Sequence, residues 1–372
     1  MAVDFLAAER FMYYDGDTDP LSVATRCIVN YVCRDRFGLI NDLGPYNLSN
    51  KADQLPQHTE ETNVADLFDK RACDLIAKYD RIAFAWSGGV DSHSVITAIL
   101  RNMPAPEYSR RLHVYGTPSS VEEAPAYQAF LQKLGVPVTI ADNVFEPLGT
   151  APCDVILNGC GVGNLFGHHT LEESPRIYNG LLEDTFKDAW ALKNPKSTVT
   201  RRQVSQVAYT FKKYAEALGV ECKTFGDFEK LFAFGLRCTM GRDQLTMWMA
   251  KYPNAEKNLS FTRDQMFDNW FISTFAEHES RSVYQNPMNY KRALKDYIFS
   301  FDKDEVYYNT KGKVDSIKGV SYPFDKQIAV LTTDGLVCYE NTEDGGHRQF
   351  MDKLCTQYRR GDSDELYTLC CG

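Results

Sequence analysis

Arg81-Ile82-Ala83-Phe84-Ala85-Trp86-Ser87-Gly88-Gly89-Val90-Asp91-Ser92 is the stretch that decides the fold. Up to Trp86 it is an apolar run of strand length, then comes a glycine turn, and from Val90 onward the spacing is helical. In such a strand, turn and helix the two glycines let the backbone take positive φ and leave no Cβ in a ligand's way. Ser87, Ser92 and the free N–H groups of the helix start then converge on one small space, which suits an anion. Asp91 would repel a phosphate there unless a divalent cation such as Mg²⁺ stands between them. The pattern therefore predicts a nucleotide with its metal. The chain contains no G-x-x-x-x-G-K-[ST], so the lysine of the Walker loop has no counterpart.

Working outward, Val64, Leu67, Phe68, Leu75 and Ile76 recur at helical spacing over Asn63 to Tyr79, with Thr62 or Asn63 as the cap. After the glycine turn a helix runs to Asn102, and Pro104 keeps it from extending. Leu112 to Thr117, Val136 to Ile140 and Cys153 to Leu157 read as further strands, with one helix from Ser120 to Leu134 between the first two. Strands alternating with helices predict an α/β fold, a parallel sheet with helices on both faces. Ligands bind such sheets at the carboxyl ends of the strands. A second glycine-rich turn, Gly159-Cys160-Gly161-Val162-Gly163-Asn164, also comes after a strand, so it is expected to reach the same edge.

Beyond Glu172 the stretches Gln203–Leu218, Phe228–Leu236, Asp243–Lys251, Arg263–Phe275 and Tyr290–Phe299 read as helices whose aromatic residues build a core. Gln327–Leu331 and Leu336–Tyr339, flanking Thr332-Thr333-Asp334-Gly335, read as a hairpin, and a helix is expected at 348–358. The chain divides into four regions: an N-terminal extension (1–62), the nucleotide-binding α/β core (63–172), a helical part (173–300) and a small C-terminal α+β element (301–372). The acidic turn Asp15–Pro20 lacks the Glu that would complete a calcium loop, since position 12 counted from Asp15 is Arg26.

A net charge of −9 argues against a general grip on nucleic acid or an anionic membrane. The 11 cysteines, never spaced C-x-x-C, predict neither a disulfide framework nor a zinc ribbon. With no signal peptide or apolar span read in the sequence, the expected location is the cytoplasm.

The string Ser87-Gly88-Gly89-Val90-Asp91-Ser92 resembles the pyrophosphate loop (PP-loop) of the N-type ATP pyrophosphatases, which cleave ATP between the α- and β-phosphates, usually through an adenylated intermediate. With the helix before it, the Glu122–Leu134 helix, the Asp154–His168 segment and the later helices, residues 63 to 300 look like the synthetase domain of asparagine synthetases and β-lactam synthetases. The resemblance implies a fold like that of the adenine nucleotide α-hydrolases, and an ATP-dependent ligase that adenylates a carboxylate-like oxygen for attack by an amine. It implies that Ser87, Gly88, Gly89, Val90 and Ser92 bind pyrophosphate and Asp91 holds Mg²⁺. The backbone of Phe84, Ala85 and Trp86 and the strand end at Gly116 would meet the adenosine, and Gly159 and Cys160 would complete the site.

The second loop parallels the family signature G-[DE]-G-x-D-E-x-F-G-G-Y in its glycines and in Phe166. It departs from it in the acids: Cys160, Gly163 and Asn164 stand where carboxylates are usual. Tyr290-Lys291-Arg292-Ala293-Leu294-Lys295 resembles the family's K-x-x-L-R and assigns Lys291 the role of a cation at developing charge, with Lys295 as second candidate and a solvated helix lysine as the other reading. With some 80 residues before the first strand, the amidotransferases' N-terminal glutaminase domain is not expected here. The amine is then free ammonia, the product of an ammonia-supplying subunit, or a second substrate. Two alternatives stay open: an enzyme modifying a nucleobase or tRNA, and a domain that binds nucleotide, or serves assembly, without turnover. Weaker than their structural readings are Cys160 as a nucleophile or sulfur carrier, against a small residue in a tight loop, and a zinc site of His168 and His169 with Cys160 or His113, whose spacing matches no common zinc pattern.

Overall fold

The strand, turn and helix around Ser87 lie at the centre of a parallel sheet. The structure, a computed structural model, describes residues 3–6, 36, 37, 39, 53–166, 177, 179–193, 198–237, 245, 249, 252–277, 291–311, 327–332 and 335–340. In chain order the main elements are β1 (Val3–Leu6), α1 (Val64–Lys78), β2 (Ile82–Ala85), α2 (Val90–Asn102), β3 (Leu112–Gly116), α3 (Pro118–Glu123), α4 (Pro125–Lys133), β4 (Val138–Ile140) and β5 (Val155–Asn158). They continue with α5 (Leu182–Lys193), α6 (Arg201–Ala217), α7 (Phe225–Phe232), β6 (Asn258–Ser260), α8 (Gln265–Ser273), α9 (Arg292–Asp302), α10 (Glu305–Thr310), β7 (Gln327–Thr332) and β8 (Gly335–Glu340). Two compact units result: Pro56–Phe166 with Gly241–Ser321, and Met1–Leu55 with Gly167–Met240 and Tyr322–Gly372.

The first unit is built on five parallel strands in the order β4-β3-β2-β5-β6. β2 is apolar and buried along Ile82-Ala83-Phe84, as a strand covered on both faces must be. The strand order reverses direction at β2. Right-handed crossovers then place the connections on opposite faces of the sheet and leave the carboxyl end of β2 at the switch point, where ligands bind in such sheets. β6 is absent from the sequence reading: Asn258-Leu259-Ser260 has one apolar residue and no alternation, and joins the sheet only because β5 offers it an edge.

Local chemistry explains the helix boundaries. Asn63 caps α1, its side chain accepting from the Ala65 amide at 3.0 Å. The single helix read over Ser120 to Leu134 is two, because Pro125 forces the preceding residue out of helical geometry: Ala124 has φ −147° and ψ 67°. Phe68, fully buried, touches the rings of Phe261 (centroids 5.1 Å apart), Phe267 (5.6 Å) and Tyr297 (5.7 Å), drawing α1, α8 and α9 into one core. Asp69 fastens the same junction, accepting from Tyr297 Oη at 2.5 Å and Asn102 Nδ2 at 2.8 Å, with Arg101 Nε 3.4 Å away.

The second unit holds an aromatic core in which Phe186, Phe211, Phe225, Phe228 and Phe232 are all fully buried, and Phe211 meets Phe228 edge-on at 4.7 Å. The hairpin expected near residue 333 forms as β7 and β8, and β1 adds a third antiparallel strand, Val3 facing Thr332. The expected 348–358 helix, the acidic turn at 15–20 and all but two residues of the 243–251 helix lie outside the described residues. Among the described residues no helix is long and apolar enough to cross a membrane.

Asp69 ties α9 to α1 and α2, so Asp69→Ala should cost about 2 kcal/mol, read as a lower urea midpoint. Tyr297→Phe alone should cost about 1 kcal/mol, and the double variant less than the sum, because one carboxylate serves both groups.

Candidate functional site

β2 delivers the chain to the sheet edge at Ala85, and the turn begins at Ser87. Gly88 adopts φ 76°, and a Cβ on it would strike the Ser120 carbonyl and lie 2.8 Å from Glu123 Cβ. Only glycine lets the loop press this closely on α3. The serines hold the loop's shape: Ser92 Oγ accepts from the Ser87 amide at 3.2 Å, donates to the Gly89 carbonyl at 3.1 Å and meets Ser87 Oγ at 3.0 Å. The 13-residue helix α2 starts from Gly89 with no side-chain cap, so its first amides are presented to whatever the loop holds.

The second glycine turn meets the first. A Cβ at Gly159 would lie 2.8 Å from the Asp91 carbonyl carbon and from the Ser92 amide, so this glycine lets the two loops touch. Asn158 Oδ1 accepts from the Cys160 amide at 2.8 Å, and the single turn Val162–Leu165 comes next. Lys291, just before α9, pairs its ammonium with Asp91 Oδ1; the lysine side chain is 5% exposed, that of Asp91 31%. Lys291 holds a left-handed backbone, φ 53° and ψ 42°, a rare state for a residue with a side chain. Gly163 faces this pair: a Cβ there would lie 3.0 Å from Asp91 Oδ2 and 3.1 Å from Lys291 Nζ.

Lys295 does not share this arrangement. It is buried and donates to the Lys311 carbonyl at 2.5 Å, and burial, then Arg292 and Lys311, lower its pKa. A second ion pair lies on the other side of the loop, Lys311 Nζ to Glu123 Oε2 at 2.6 Å, with both side chains at most 10% exposed. Tyr307 Oη donates to the Gly88 carbonyl at 3.3 Å, so α10 and α3 grip the loop from two sides. Glu123, Tyr307 and Lys311 lie against the loop although nothing in the sequence singles them out, and Gly163, noted there only for a missing acid, faces the ion pair. Tyr307 and Gly88 are 219 positions apart, Lys311 and Glu123 188, and no local spacing signals such pairs.

Beneath the loop sits His93, 1% exposed, packed against Tyr127 (ring centroids 3.6 Å) and Tyr307 (4.6 Å). Among the described residues neither ring nitrogen of His93 has a hydrogen-bond partner, nor has Trp86 Nε1. Burial lowers the His93 pKa to about 3, Lys311 adding to the effect and the Gly88 backbone opposing it, so the ring is neutral.

Two groups expected against adenosine are engaged elsewhere. Trp86 is 2% exposed; its amide donates to the Tyr115 carbonyl at 2.8 Å and its carbonyl accepts from Ser120 Oγ at 2.9 Å. Its indole fills the space above Gly116, where a Cβ would lie 2.9 Å from Trp86 Cε3. Ala85, half-buried at the end of β2, and Val90, buried in the first turn of α2, flank the loop. Cys160 is half-buried, and desolvation, then the Asp91 charge, pushes its thiol up to about 12. His113 is occupied on the sheet, Nε2 2.8 Å from Thr139 Oγ1, and His168 and His169 lie outside the described residues.

Among the described residues no group of three or more His, Cys, Asp or Glu side chains is placed to hold a metal. Asp91 offers one carboxylate. That fits Mg²⁺ carried in on a polyphosphate, which asks the protein for only one or two carboxylates, rather than a metal caged by protein alone. No family model matches the chain, and a comparison with curated proteins gives no significant match.

His93 sets a pH dependence. Its folded value near 3 lies below the unfolded 6.5, so between them unfolding takes up a proton. Stability should be full above 6.5 and fall as pH drops toward 3, by about 1.4 kcal/mol per pH unit from this group. Urea titrations at a series of pH values should give His93→Phe a shallower slope than wild type; equal slopes would mean His93 is protonated in the fold.

Proposed function

We propose that this protein is an AMP-forming, ATP-dependent ligase of the PP-loop kind. The observation that carries the reading is the convergence of the Ser87–Ser92 turn, the Gly159–Asn164 turn and the ammonium of Lys291 on Asp91 at the carboxyl edge of a parallel sheet. Exposed Ser87 and the first amides of α2 would take the β- and γ-phosphates, with Gly88 and Gly89 giving them room and buried Ser92 bracing the turn through its bond to the Gly89 carbonyl. A magnesium ion arriving with the nucleotide would rest on Asp91 and neutralise phosphate charge.

In the reaction, an oxygen of the acceptor carboxylate attacks the α-phosphorus, the bond to the β-phosphate oxygen breaks, and pyrophosphate leaves. An amine then attacks the activated carbonyl and AMP departs. Lys291 is the group positioned to stabilise charge building on the α-phosphate, because its ammonium already sits at the loop, out of bulk water and in the field of the Asp91 carboxylate. The acceptor would enter beside the second loop, where Gly163 and Asn164 replace side chains that would carry negative charge.

Calorimetry should detect ATP binding, weakened about 10-fold or more in Asp91→Ala when magnesium is present. With radiolabelled ATP and a panel of carboxylates and ammonia, the labelled product should be AMP and not ADP. Lys291→Ala should leave magnesium-ATP affinity within about 3-fold while AMP release drops about 100-fold. ADP as product would overturn the reading. Tight ATP binding without AMP from any acceptor would favour a nucleotide-binding role without turnover.

A further inference from the structure

The pair of Asp91 with Lys291 is built in a way that says which cation serves the loop. Lys291 is 5% exposed, starts α9 in a left-handed backbone, and places its ammonium on Asp91 Oδ1. Asp91 Oδ2 and the same ammonium both border Gly163, whose missing Cβ would stand 3.0 Å and 3.1 Å from them. Gly163 is not among the positive-φ glycines, so its backbone does not demand glycine. The atoms nearest that position are the charged ends of the pair itself, so a side chain at 163 would have to push on Asp91 Oδ2 and the Lys291 ammonium. A carboxylate at 163 would run into the pair, drawing Lys291 off Asp91 and adding negative charge beside the phosphate loop.

We infer that the Lys291 ammonium is the resident cation of the polyphosphate site, with Gly163 making room for it, and that this loop binds inorganic pyrophosphate without any divalent metal. The inference rests on the reading of the loop as a pyrophosphate site and deepens it. An ammonium held at the loop neutralises Asp91 in advance, so a pyrophosphate approaching the α2 amides and the Ser87 hydroxyl meets no net repulsion there. A metal riding on ATP is still accommodated on Asp91 Oδ2, but the pyrophosphate left after cleavage keeps its place when that metal is gone. The protein would then hold its product until the acceptor has reacted.

The test is calorimetric titration of the full chain with inorganic pyrophosphate, in EDTA and in magnesium chloride. Wild type should bind in both buffers, with affinities within about 3-fold. Lys291→Met should lose about 10-fold or more in EDTA and much less in magnesium, while Lys291→Arg keeps metal-free binding. Gly163→Asp should lose metal-free binding and become magnesium-dependent. Thermal melts of each variant separate lost binding from lost folding, and the two-buffer comparison on wild type needs no variant at all. Pyrophosphate binding by wild type only with magnesium would overturn the inference and leave the nucleotide reading standing. Magnesium-ATP binding without pyrophosphate binding in either buffer would overturn it too. Failure to bind pyrophosphate and magnesium-ATP alike would overturn the nucleotide reading itself.

Discussion

A carboxylate in the first turn of α2 meets an ammonium 200 positions later in the chain, and the first compact unit is organised around that meeting. The lysine of this pair is withdrawn from water while Asp91 keeps 31% exposure, and removing the carboxylate would leave a buried ammonium without that partner. The Asp91–Lys291 contact therefore fixes the start of α9 at the loop. The Asp69 junction and the Phe68 core do the same for its middle, and Lys311 with Glu123 for the residue that ends α10. A loop whose own hydrogen bonds are few and short-range acquires its shape from three elements that arrive from elsewhere in the sequence.

Lys291 carries a backbone cost of about 1 kcal/mol for its left-handed conformation. Lys303 shares that conformation, but as an exposed residue closing α9 it occupies a position where helices commonly end in left-handed geometry. Lys291 has no such excuse at a helix start. Glycine there would relax the backbone and asparagine would tolerate it better, so what the strain retains is the side chain. This strain, the burial of the ammonium and the space at Gly163 are separate observations, and all three concern one nitrogen atom.

The loop, four of the five parallel strands and the first helix with its Asn63 cap are legible in the sequence because each is announced by neighbouring residues: alternation or an apolar run, a glycine turn, a cap two residues from the amide it serves. The break at Ala124 is legible in principle from Pro125 but is masked by good helical spacing on both sides of it. β6 is not legible, since three residues with one leucine carry no period and owe their conformation to β5. At the site, Lys291 emerges through a resemblance and not through spacing, and Glu123, Tyr307 and Lys311 carry no sequence signal at all. Gly163 is visible but misleading in kind: in sequence it stands as a missing acid, whereas its geometry makes it the room an ammonium needs. Trp86 and Gly116 show the converse, since their position beside the loop suggests a ligand surface and their sizes instead fit each other.

An acidic chain is a poor long-range attractor of polyphosphate, and a net charge of −9 would oppose binding if the whole surface acted at once. It does not, because at physiological salt charges more than about 8 Å apart are largely screened where they face water. What a phosphate would feel at the loop is set by groups close to it: Lys291 and Lys311, both buried and each paired with a carboxylate, the first amides of α2, and a histidine kept neutral by burial. The cations are matched by acids within the fold, which offsets part of the cost of taking them out of water, and they would act on an incoming anion whose own charge exceeds that of either carboxylate. On the proposed reading, charges so fixed in advance would meet the condition under which they lower a barrier and do not merely hold a ground state.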